Sequence, residues 1–436
     1  MVLRHGTGRV LPSADHTGPD HAGADPVQRR PWSVLVLLCV AQFMVVLDMT
    51  VVNIALPSIG RTLRFDPSDL EWVVTTYLLT TGMLTLAGGR AADLFGRRRM
   101  FLAGLALFTA ASLASGLAPV AGALIAARAG QGVGAAMLTP AALAIITATY
   151  SGAQRATALS TWGALAGGGM AVGVLAGGVL TTWFGWRSVF LVNVPVGLAA
   201  GIAARLLVPR SAGTRRSLLP LFPLRVLRSY SLAAGGLLLL AVTGTLVGVS
   251  VLNSLYLQDA AGASPVRAGL EFLPLVLATA LGAHLASRLL PGAGTRVVAV
   301  AGLLAIATGT LLLSRASGHS SYLTTIAPAF VLLGAGTGLA FPAASVTALS
   351  QVREEIAGVA SGLMTAAHEI GAGIGAAALP AVAAATTGFT AGGAGLAAGY
   401  RHAMLAAAVV AAGLAVLAAR AVPSVRPAAG AKVAVH

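Results

Sequence analysis

Long apolar runs constrain this chain more than any other feature of its sequence. Runs of roughly 18 to 28 residues recur from Trp32 to Arg420, and about 20 apolar residues in a helix suffice to cross a hydrocarbon core of about 30 Å. Only 9% of the 436 residues are charged, whereas soluble domains carry about 25%. The sequence therefore predicts an all-α integral membrane protein.

The positions of these runs predict twelve membrane-spanning helices. Spans 1 to 12 are placed at residues 32–59, 70–89, 99–118, 120–149, 157–183, 187–208, 230–257, 267–290, 296–314, 322–349, 356–385 and 396–420. Residues 1–30 lack apolar periodicity and are predicted to be a disordered cytoplasmic tail, and residues 422–436 a second tail. The first run is too long for a signal-peptide core, so we expect it to remain as a helix.

The positive charges predict the orientation. With an even number of spans, 21 of the 28 Lys and Arg residues fall on the side of the termini, 6 fall on the other side, and Arg128 lies within a span. Cytoplasmic loops carry the excess of positive charge, so both termini are predicted to be cytoplasmic. This placement at helix ends also argues against a nucleic-acid-binding face, despite the net charge of +15.

An internal repeat divides the chain into two halves. A gapless shift of 202 residues matches small residues of the two halves: Gly132, Gly134, Pro140, Gly169 and Gly173 fall on Gly334, Gly336, Pro342, Gly371 and Gly375. Parallel repeats of this kind occur in transporters built from two six-helix halves. We therefore predict six-helix halves at residues 31–208 and 230–421, joined by a cytoplasmic linker at 209–229.

Five segments of the chain carry a family pattern. Between spans 2 and 3 stands Gly89-Arg90-Ala91-Ala92-Asp93-Leu94-Phe95-Gly96-Arg97-Arg98-Arg99. The others are Leu47-Asp48-Met49-Thr50-Val51-Val52-Asn53-Ile54-Ala55-Leu56-Pro57, Arg128-Ala129-Gly130-Gln131-Gly132-Val133-Gly134-Ala135-Ala136, Trp186-Arg187-Ser188-Val189-Phe190-Leu191-Val192-Asn193-Val194-Pro195-Val196-Gly197, and the series Tyr256-Leu257-Gln258, Ser264-Pro265, Ala268-Gly269-Leu270 and Leu273-Pro274. In this order they resemble the drug:proton antiporters of the major facilitator superfamily, especially the branch with fourteen helices.

The resemblance implies a major-facilitator-type fold with pseudo-two-fold symmetry between the halves. It also implies a secondary transporter that exports small amphipathic or cationic organic molecules, such as drugs, antibiotics or secondary metabolites, by proton antiport and alternating access. The chain departs from that branch in two places. It has no room for two extra helices between the halves, and span 5 has Gly173-Val174 where the antiporters have Gly-Pro.

Two charged residues lie deep in predicted spans. Asp48 is roughly 16 Å and Arg128 roughly 12 Å from the outer end of its span at 1.5 Å per residue. A carboxylate at that depth is costly, and it can hold or release a proton as its exposure changes. We predict a role in proton coupling or substrate binding, with a possible ion pair to Arg128; the alternative is a purely structural tie between spans 1 and 4.

Further candidates for the proton pathway or substrate cavity lie in spans 1, 2 and 11. Glu369 is the preferred second titrating or cation-binding group, and its neighbour His368 is a polar wall or proton partner. Because neighbours on a helix point about 100° apart, only one of them is expected to face the cavity squarely. Tyr77 belongs to a polar face of span 2, and Asn53 to the family pattern in span 1. The alternative for His368 and Glu369 is a satisfied interhelical hydrogen bond.

Two further sets concern helix packing and movement. A conformational latch on the cytoplasmic face is predicted at Gly89, Asp93, Gly96, Arg97 and Arg98, where a glycine turn lets an acid and bases tie helix ends; the alternative is simple positive-inside anchoring.

A stripe of small residues that allows close helix packing is formed by Gly169, Gly173 and Gly177. A sliding seam between the halves is the other interpretation of this stripe.

The remaining features narrow the function class. The chain lacks a GxxxxGK[ST] pattern for direct use of ATP, and its single cysteine, Cys39, allows no internal disulfide. We expect no metal and no cofactor, a proton gradient as energy source, and a monomer whose partners are its small-molecule substrate, protons and the bilayer. Alternatives are a carrier for one metabolite, exported or taken up, and an integral membrane enzyme. The abundance of Ala, Gly and Arg, with only one Lys, is typical of GC-rich bacterial coding and predicts a protein of a bacterial cytoplasmic membrane.

The predicted topology is testable with reporter fusions. Fusions placed after Pro209 and at the carboxyl terminus should both report a cytoplasmic position, because the arginine asymmetry places the linker and both tails on that side. A fusion after Arg64, in the predicted external loop, is the control and should report the opposite side. An external signal at either of the first two sites would contradict twelve spans with cytoplasmic ends.

Overall fold

The computed structural model describes residues 31–65, 69–209, 229–316, 321–352, 357–387 and 393–426. The predicted tail 1–30, nearly all of the predicted linker 209–229 and the last residues of the predicted carboxyl-terminal tail lie outside these ranges. Within them, all regular secondary structure is helical. This agrees with a chain in lipid, where backbone groups must find their partners inside the same helix.

The helices follow the predicted spans closely. In chain order they are α1 Pro31–Leu63, α2 Trp72–Phe95, α3 Arg97–Gly116, α4 Ala121–Thr149, α5 Gly152–Phe184, α6 Ser188–Leu191, α7 Asn193–Leu207, α8 Tyr230–Leu255, α9 Pro265–Glu271, α10 Leu273–Leu313, α11 Ala327–Leu349, α12 Ala357–Thr387 and α13 Gly393–Ala421. Two single-turn π-helices, Tyr256–Ala260 and Tyr322–Ile326, continue α8 and precede α11.

Among the described residues, nine helical stretches are long and apolar enough to cross a membrane. One of them, Pro265–Leu313, contains two spans, because α10 leaves helical geometry at Gly294 (φ +79°) and bends there. The more polar α2 and the part-apolar α5 complete the bundle, and α6 continues into α7. The described ranges therefore contain twelve rods, which is the number of spans predicted from the sequence.

The rods form two halves, each with its own buried apolar core. The core of the first half is built from α1 to α7 and that of the second from α8 to α13, with few residues shared between them. Because lipid is as apolar as the side chains, small residues that let backbones approach supply much of the helix packing in a membrane. Glycines carry that role here.

The internal repeat reappears as equivalent packing in the two halves. A Cβ added at Gly134 of α4 would lie 2.6 Å from the backbone nitrogen of Phe108 in α3. A Cβ at Gly336, its match in α11, would lie 2.5 Å from the carbonyl oxygen of Gly302 in the second rod of α10. The matched glycines thus hold the same pair of rods together in each half.

The turns between the second and third rods are also equivalent. Gly96 separates α2 from α3 with φ +95°, and Gly294 bends α10 with φ +79°. Left-handed φ values of this kind are open to glycine at little cost. The first turn is the predicted signature loop, and the second is its structural counterpart.

Each of these turns is followed by an arginine that binds the end of the last rod in its half. Arg98 Nη2 donates to the carbonyl oxygen of Arg205 (2.5 Å), and Arg296 Nε donates to that of Val422 (2.7 Å). Cations near a helix carboxyl terminus satisfy its free carbonyl groups and its dipole. The described start of the predicted carboxyl-terminal tail, residues 422–426, therefore lies against the bend of α10.

The two halves meet through a group of polar contacts that we call the seam clasp. Here the terminal face is the face of the bundle where α1 begins and α13 ends, and the clasp lies near the opposite face. Its contacts are Arg61 Nη1 with Asp259 Oδ1 at 2.7 Å, Ser254 Oγ to the Asn53 carbonyl oxygen at 2.6 Å, and Gln258 Nε2 to the Ile54 carbonyl oxygen at 2.9 Å. The π-helix that follows α8 carries Gln258 and Asp259 into this position.

Close backbone contacts between the halves accompany the clasp. A Cβ at Gly178 of α5 would lie 2.8 Å from Val266 Cα, again near the opposite face. Along α2 and α12 the contact extends further, from Leu79 beside Gly373 to Leu86 beside Gly362. The halves are thus joined along α2 and α12 and at the face opposite the termini.

The packing argument predicts a difference between two glycines of α4. Gly134→Ala should lower the free energy of unfolding by about 1–3 kcal/mol, because the new methyl group meets backbone atoms that cannot rotate away. Gly122→Ala is the matched control, since a Cβ there has nothing within 4 Å. Thermal unfolding of the detergent-purified variants measures both. Equal stability of the two would contradict the described packing of α3 against α4.

Candidate functional site

The two charged residues predicted deep in spans 1 and 4 form a buried ion pair. Arg128 Nη1 of α4 lies 2.5 Å from Asp48 Oδ2 of α1, and the side chains are 1% and 0% exposed. An isolated charge in the bilayer core is expensive, so each of these groups requires the other. The pair lies well inside the first half, whereas the other ion pair of α1, between Arg61 and Asp259, is partly exposed near the end of that helix.

Further donors complete the coordination of the Asp48 carboxylate. Gln131 Nε2 of α4 and Asn193 Nδ2 of α7 each donate to Asp48 Oδ1 at 2.9 Å. Gln131 also donates to Ser112 Oγ of α3 (2.7 Å) and accepts from Arg128 Nη1 (3.0 Å). One network therefore connects α1, α3, α4 and α7.

The guanidinium group of Arg128 is enclosed as tightly as the carboxylate. Its Nε donates to the carbonyl oxygen of Val73 in α2 (2.8 Å), and its Cζ lies 4.2 Å from the ring centre of Tyr77 and 5.8 Å from that of Phe190. Aromatic faces attract a cation, most strongly where water is excluded. Tyr77, predicted to face a cavity, is instead fully buried against Arg128.

Sequence reasoning missed three members of this network: Ser112, Gln131 and Asn193. Gln131 carried a usable signal, because it follows Arg128 by three residues and so shares its helix face. Asn193 lies in the family pattern at the start of α7, but no periodicity ties it to Asp48. Ser112 is one of several small polar residues in an apolar helix and stands out only in the folded structure.

His368 and Glu369 occupy the middle of α12 and point to different neighbours, as expected of adjacent helical residues. The ring of His368 meets Phe341 of α11 edge to face, with ring centres 5.6 Å apart. Glu369 lies beside Gly82 of α2, where an added Cβ would be 2.9 Å from the Glu369 Cβ. His368 Nδ1 and Glu369 Oε2 are buried, and neither has a hydrogen-bond partner within the described residues.

Asn53 lies in the seam clasp rather than beside Asp48. Its backbone carbonyl accepts the hydrogen bond from Ser254 Oγ, and its side-chain Oδ1 is buried without a partner in the part of the chain that is described. Asn53 therefore lies where the two halves touch, and its described hydrogen bond joins one half to the other.

The predicted latch residues surround the Gly96 turn on the terminal face. Arg98 binds the end of α7 within its own half, Arg97 is the first residue of α3, and Asp93 is exposed. Gly89 has only ordinary contact with Pro140, 3.6 Å from an added Cβ. Its neighbour Gly88 lies directly against the Ala136 carbonyl of α4, and α2 can approach α4 this closely because Gly88 has no side chain.

The glycine stripe of α5 faces α1 of the same half. Added Cβ atoms at Gly169, Gly173 and Gly177 would meet Val46, Thr50 and Val51, respectively. This placement fits close packing within the half. Among the glycines of α5 whose surroundings are described, Gly178 touches the other half, opposite Pro265 and Val266.

The described residues contain no group of three or more His, Cys, Asp or Glu side chains that could hold a metal ion. Among the described residues, the site holds one paired carboxylate, that of Asp48, and one carboxylate, that of Glu369, whose buried Oε2 receives no hydrogen bond. Such groups exchange protons or bind cations when their surroundings change.

Comparison with known proteins agrees with this architecture. Residues 38–376 match the family model described as Major Facilitator Superfamily. The chain is 39% identical to a puromycin resistance protein of Streptomyces alboniger, with 84% of each chain covered. It is 35% identical to a lincomycin resistance protein of Streptomyces lincolnensis, covering 79% of this chain and 82% of that one, and 35% identical to a cephamycin export protein of Amycolatopsis lactamdurans, covering 81% and 85%.

Solved structures share the fold at low sequence identity. A bacterial homolog of the human lysosomal transporter Spinster, in an inward-facing and occupied conformation, superimposes with a TM-score of 0.74 at 20% identity, over 92% of this chain and 98% of that one. The nucleoside transporter NupG gives 0.71 at 12% identity, over 88% and 98%. At these identities the likeness concerns the fold.

The buried pair predicts a strong energetic coupling between Asp48 and Arg128. Asp48→Asn or Arg128→Met alone should cost about 3–5 kcal/mol, because each leaves a buried charge without its partner, while the double variant should cost much less than the sum. The exposed pair Arg61 and Asp259 is the matched control, for which a coupling of about 0.2–1 kcal/mol is expected. A double-mutant cycle on unfolding in detergent measures both couplings, and equal values would contradict the role assigned to burial.

Proposed function

This chain belongs to the major facilitator superfamily, and we propose that it is a secondary active transporter that exports small organic molecules in exchange for protons. The observation that best supports this proposal is the fully buried ion pair of Asp48 and Arg128 in a multi-pass membrane protein. The chain is a transporter and not an enzyme, as its family and its relatives establish.

The relatives support antibiotic-like compounds as substrates. Three relatives are named for resistance to puromycin, for resistance to lincomycin and for export of cephamycin, and each shares at least 35% of the aligned residues with this chain. The chain covers most of the length of each of them. We therefore assign export of drugs or antibiotics across a bacterial membrane, and we place the protein in the cytoplasmic membrane as a monomer that needs no cofactor.

Asp48 is the proposed site of proton coupling. As a carboxylate it accepts bonds from Arg128, Gln131 and Asn193. A proton on Asp48 would remove the charge that holds the guanidinium group, so that the tie between α1 and α4 would weaken. The paired and protonated forms would then favour different arrangements of these helices.

The free energy available from breaking the buried pair is comparable with the free energy needed to shift a two-state equilibrium. Breaking a buried pair costs about 3–5 kcal/mol, and moving a two-state equilibrium from 1:99 to 99:1 requires about 5.5 kcal/mol. Protonation of one carboxylate can therefore supply much of the bias between two access states. The network spreads this effect to α3 and α7, because Gln131 and Asn193 lose a charged acceptor at the same time.

We propose that the described arrangement is open to the cytoplasm. Its support is the seam clasp, which joins the halves near the face opposite the termini, combined with the cytoplasmic termini that the arginine asymmetry predicts. Opening to the outside would then require the clasp to break. The latch predicted at Gly89, Asp93, Gly96, Arg97 and Arg98 would act on the other face, and it remains a prediction.

The coupling role predicts the behaviour of Asp48→Asn. In everted membrane vesicles this variant should lose uphill, proton-driven transport of a substrate such as puromycin, because the amide cannot take up a proton. It should keep downhill exchange of the same compound, which needs no proton. Asp69→Asn, an exposed loop acid, is the matched control and should transport as the native protein does.

Two measurements separate a coupling defect from a folding defect. The amount of each variant in the membrane is determined in the same vesicles, and Asp48→Glu, which retains an acid at the position, should recover part of the proton-driven transport. Full proton-driven transport by Asp48→Asn would refute the assignment of Asp48.

A further inference from the structure

Two exposed arginines share a groove on the surface of the second half, at the face opposite the termini. The groove has a volume of about 540 Å³ and lies between the end of the second rod of α10 and the first turns of α13. Arg315 and Arg401 line it together with Leu311, Leu405 and Ala398. Neither arginine forms an ion pair within the described residues.

Packing of the adjacent residues turns both arginines outward. On α13, Tyr400 is buried in the second half and donates from its hydroxyl group to Asn253 Oδ1 of α8 at 2.8 Å. Because neighbours on a helix point about 100° apart, Arg401 faces away from this core and is exposed. After α10, Ala316 is buried whereas Arg315 beside it is exposed. The fold of the second half therefore sets where the two charges lie.

An apolar stripe leads from the groove toward the terminal face. The exposed side chains Val297, Leu304 and Leu311 recur every seven residues, which is about two helical turns, so they lie on one face of the second rod of α10. Arg315 follows Arg296, at the start of this rod, by nineteen residues. At 1.5 Å per residue that is roughly 28 Å, close to the thickness of a hydrocarbon core of about 30 Å. Arg315 therefore lies at the level where acyl chains end and headgroups begin.

The chain segments beside the groove contain no acidic residue. Residues 316–328, which lead from α10 to α11, and residues 388–400, which lead from α12 into α13, have neither Asp nor Glu. By contrast, Arg267, elsewhere on the same face of this half, pairs with Glu271 at 2.8 Å. An anion from outside the chain can supply the counter-charge that these segments lack.

We propose that this groove binds an anionic phospholipid of the leaflet on the side opposite the termini. Arg315 and Arg401 bind the headgroup phosphate, since guanidinium groups present planar forks of donors that match phosphate oxygens, and an acyl chain lies along Leu311 and Leu304. A free anion would match only the arginines. A second copy of the chain paired through the same face would bring arginine against arginine. The inference does not rest on the proposed export function.

Native mass spectrometry of the detergent-purified protein tests the proposal, because it counts bound lipids and separates monomers from dimers. Phosphatidylglycerol should bind at least tenfold more tightly than phosphatidylcholine, whose headgroup has no net charge. The double variant Arg315→Gln/Arg401→Gln should bind phosphatidylglycerol at least tenfold more weakly, which corresponds to about 1.4 kcal/mol. The single variant Arg315→Gln should weaken it at least threefold. Arg64→Gln, an exposed arginine of the first half at the same face, is the matched control and should stay within twofold of the native protein.

Thermal unfolding in the same detergent shows whether each variant is folded, and phosphatidylglycerol should raise the unfolding temperature of the native protein more than that of the double variant. Unchanged phosphatidylglycerol affinity in the folded double variant, or in the single variant if the double variant does not fold, would overturn the proposal. Equal affinity for phosphatidylcholine would do the same. Inorganic phosphate that binds as tightly as the lipid, or dimers without lipid that dissociate in the double variant, would replace it with a free-anion site or a protein interface.

Discussion

The ion pair between Asp48 and Arg128 is the interaction on which the first half depends. Both charges lie where neither water nor lipid can solvate them, so the helices that carry them must stay together while both are ionised. Gln131 and Asn193 extend this requirement to the remaining lone pairs of the carboxylate. The hydrophobic effect contributes little to helix association in lipid. A fully coordinated charge pair is therefore a large share of what holds these helices together.

The second half repeats the packing of the first but not its charges. Gly336 performs the packing role of Gly134. The position that matches Arg128 under the same shift of 202 residues is Phe330, which is fully buried and packs against Phe272 with ring centres 5.1 Å apart. An aromatic pair carries no charge, so the internal symmetry covers the packing of the scaffold but not the ion pair of the first half.

The seam between the halves brings the remaining polar groups together. In the clasp near the face opposite the termini, the ion pair of Arg61 and Asp259 is partly exposed, and such a pair is weak enough to break and re-form. Burial and the nearby Asp69 raise the pKa of Glu71, at the same face, to about 7. Glu369 lies deeper in the seam. The buried charge pair thus lies inside one half, whereas the charge pair that joins the two halves is partly exposed.

The twelve apolar rods, the two-fold repeat, the turn at Gly96 and the depth of Asp48, Arg128 and Glu369 could be predicted from the amino-acid sequence, because they follow from local length, spacing and charge. Which groups meet became visible only in the folded chain. Asp48 pairs with Arg128 and accepts from Asn193, Tyr77 packs against the guanidinium group, Gly88 and Gly178 make contacts that were expected of their neighbours, and Glu369 Oε2 receives no hydrogen bond from the described residues. The physical reason is that contacts between helices depend on their mutual rotation and height, which side chains far apart in the chain set together.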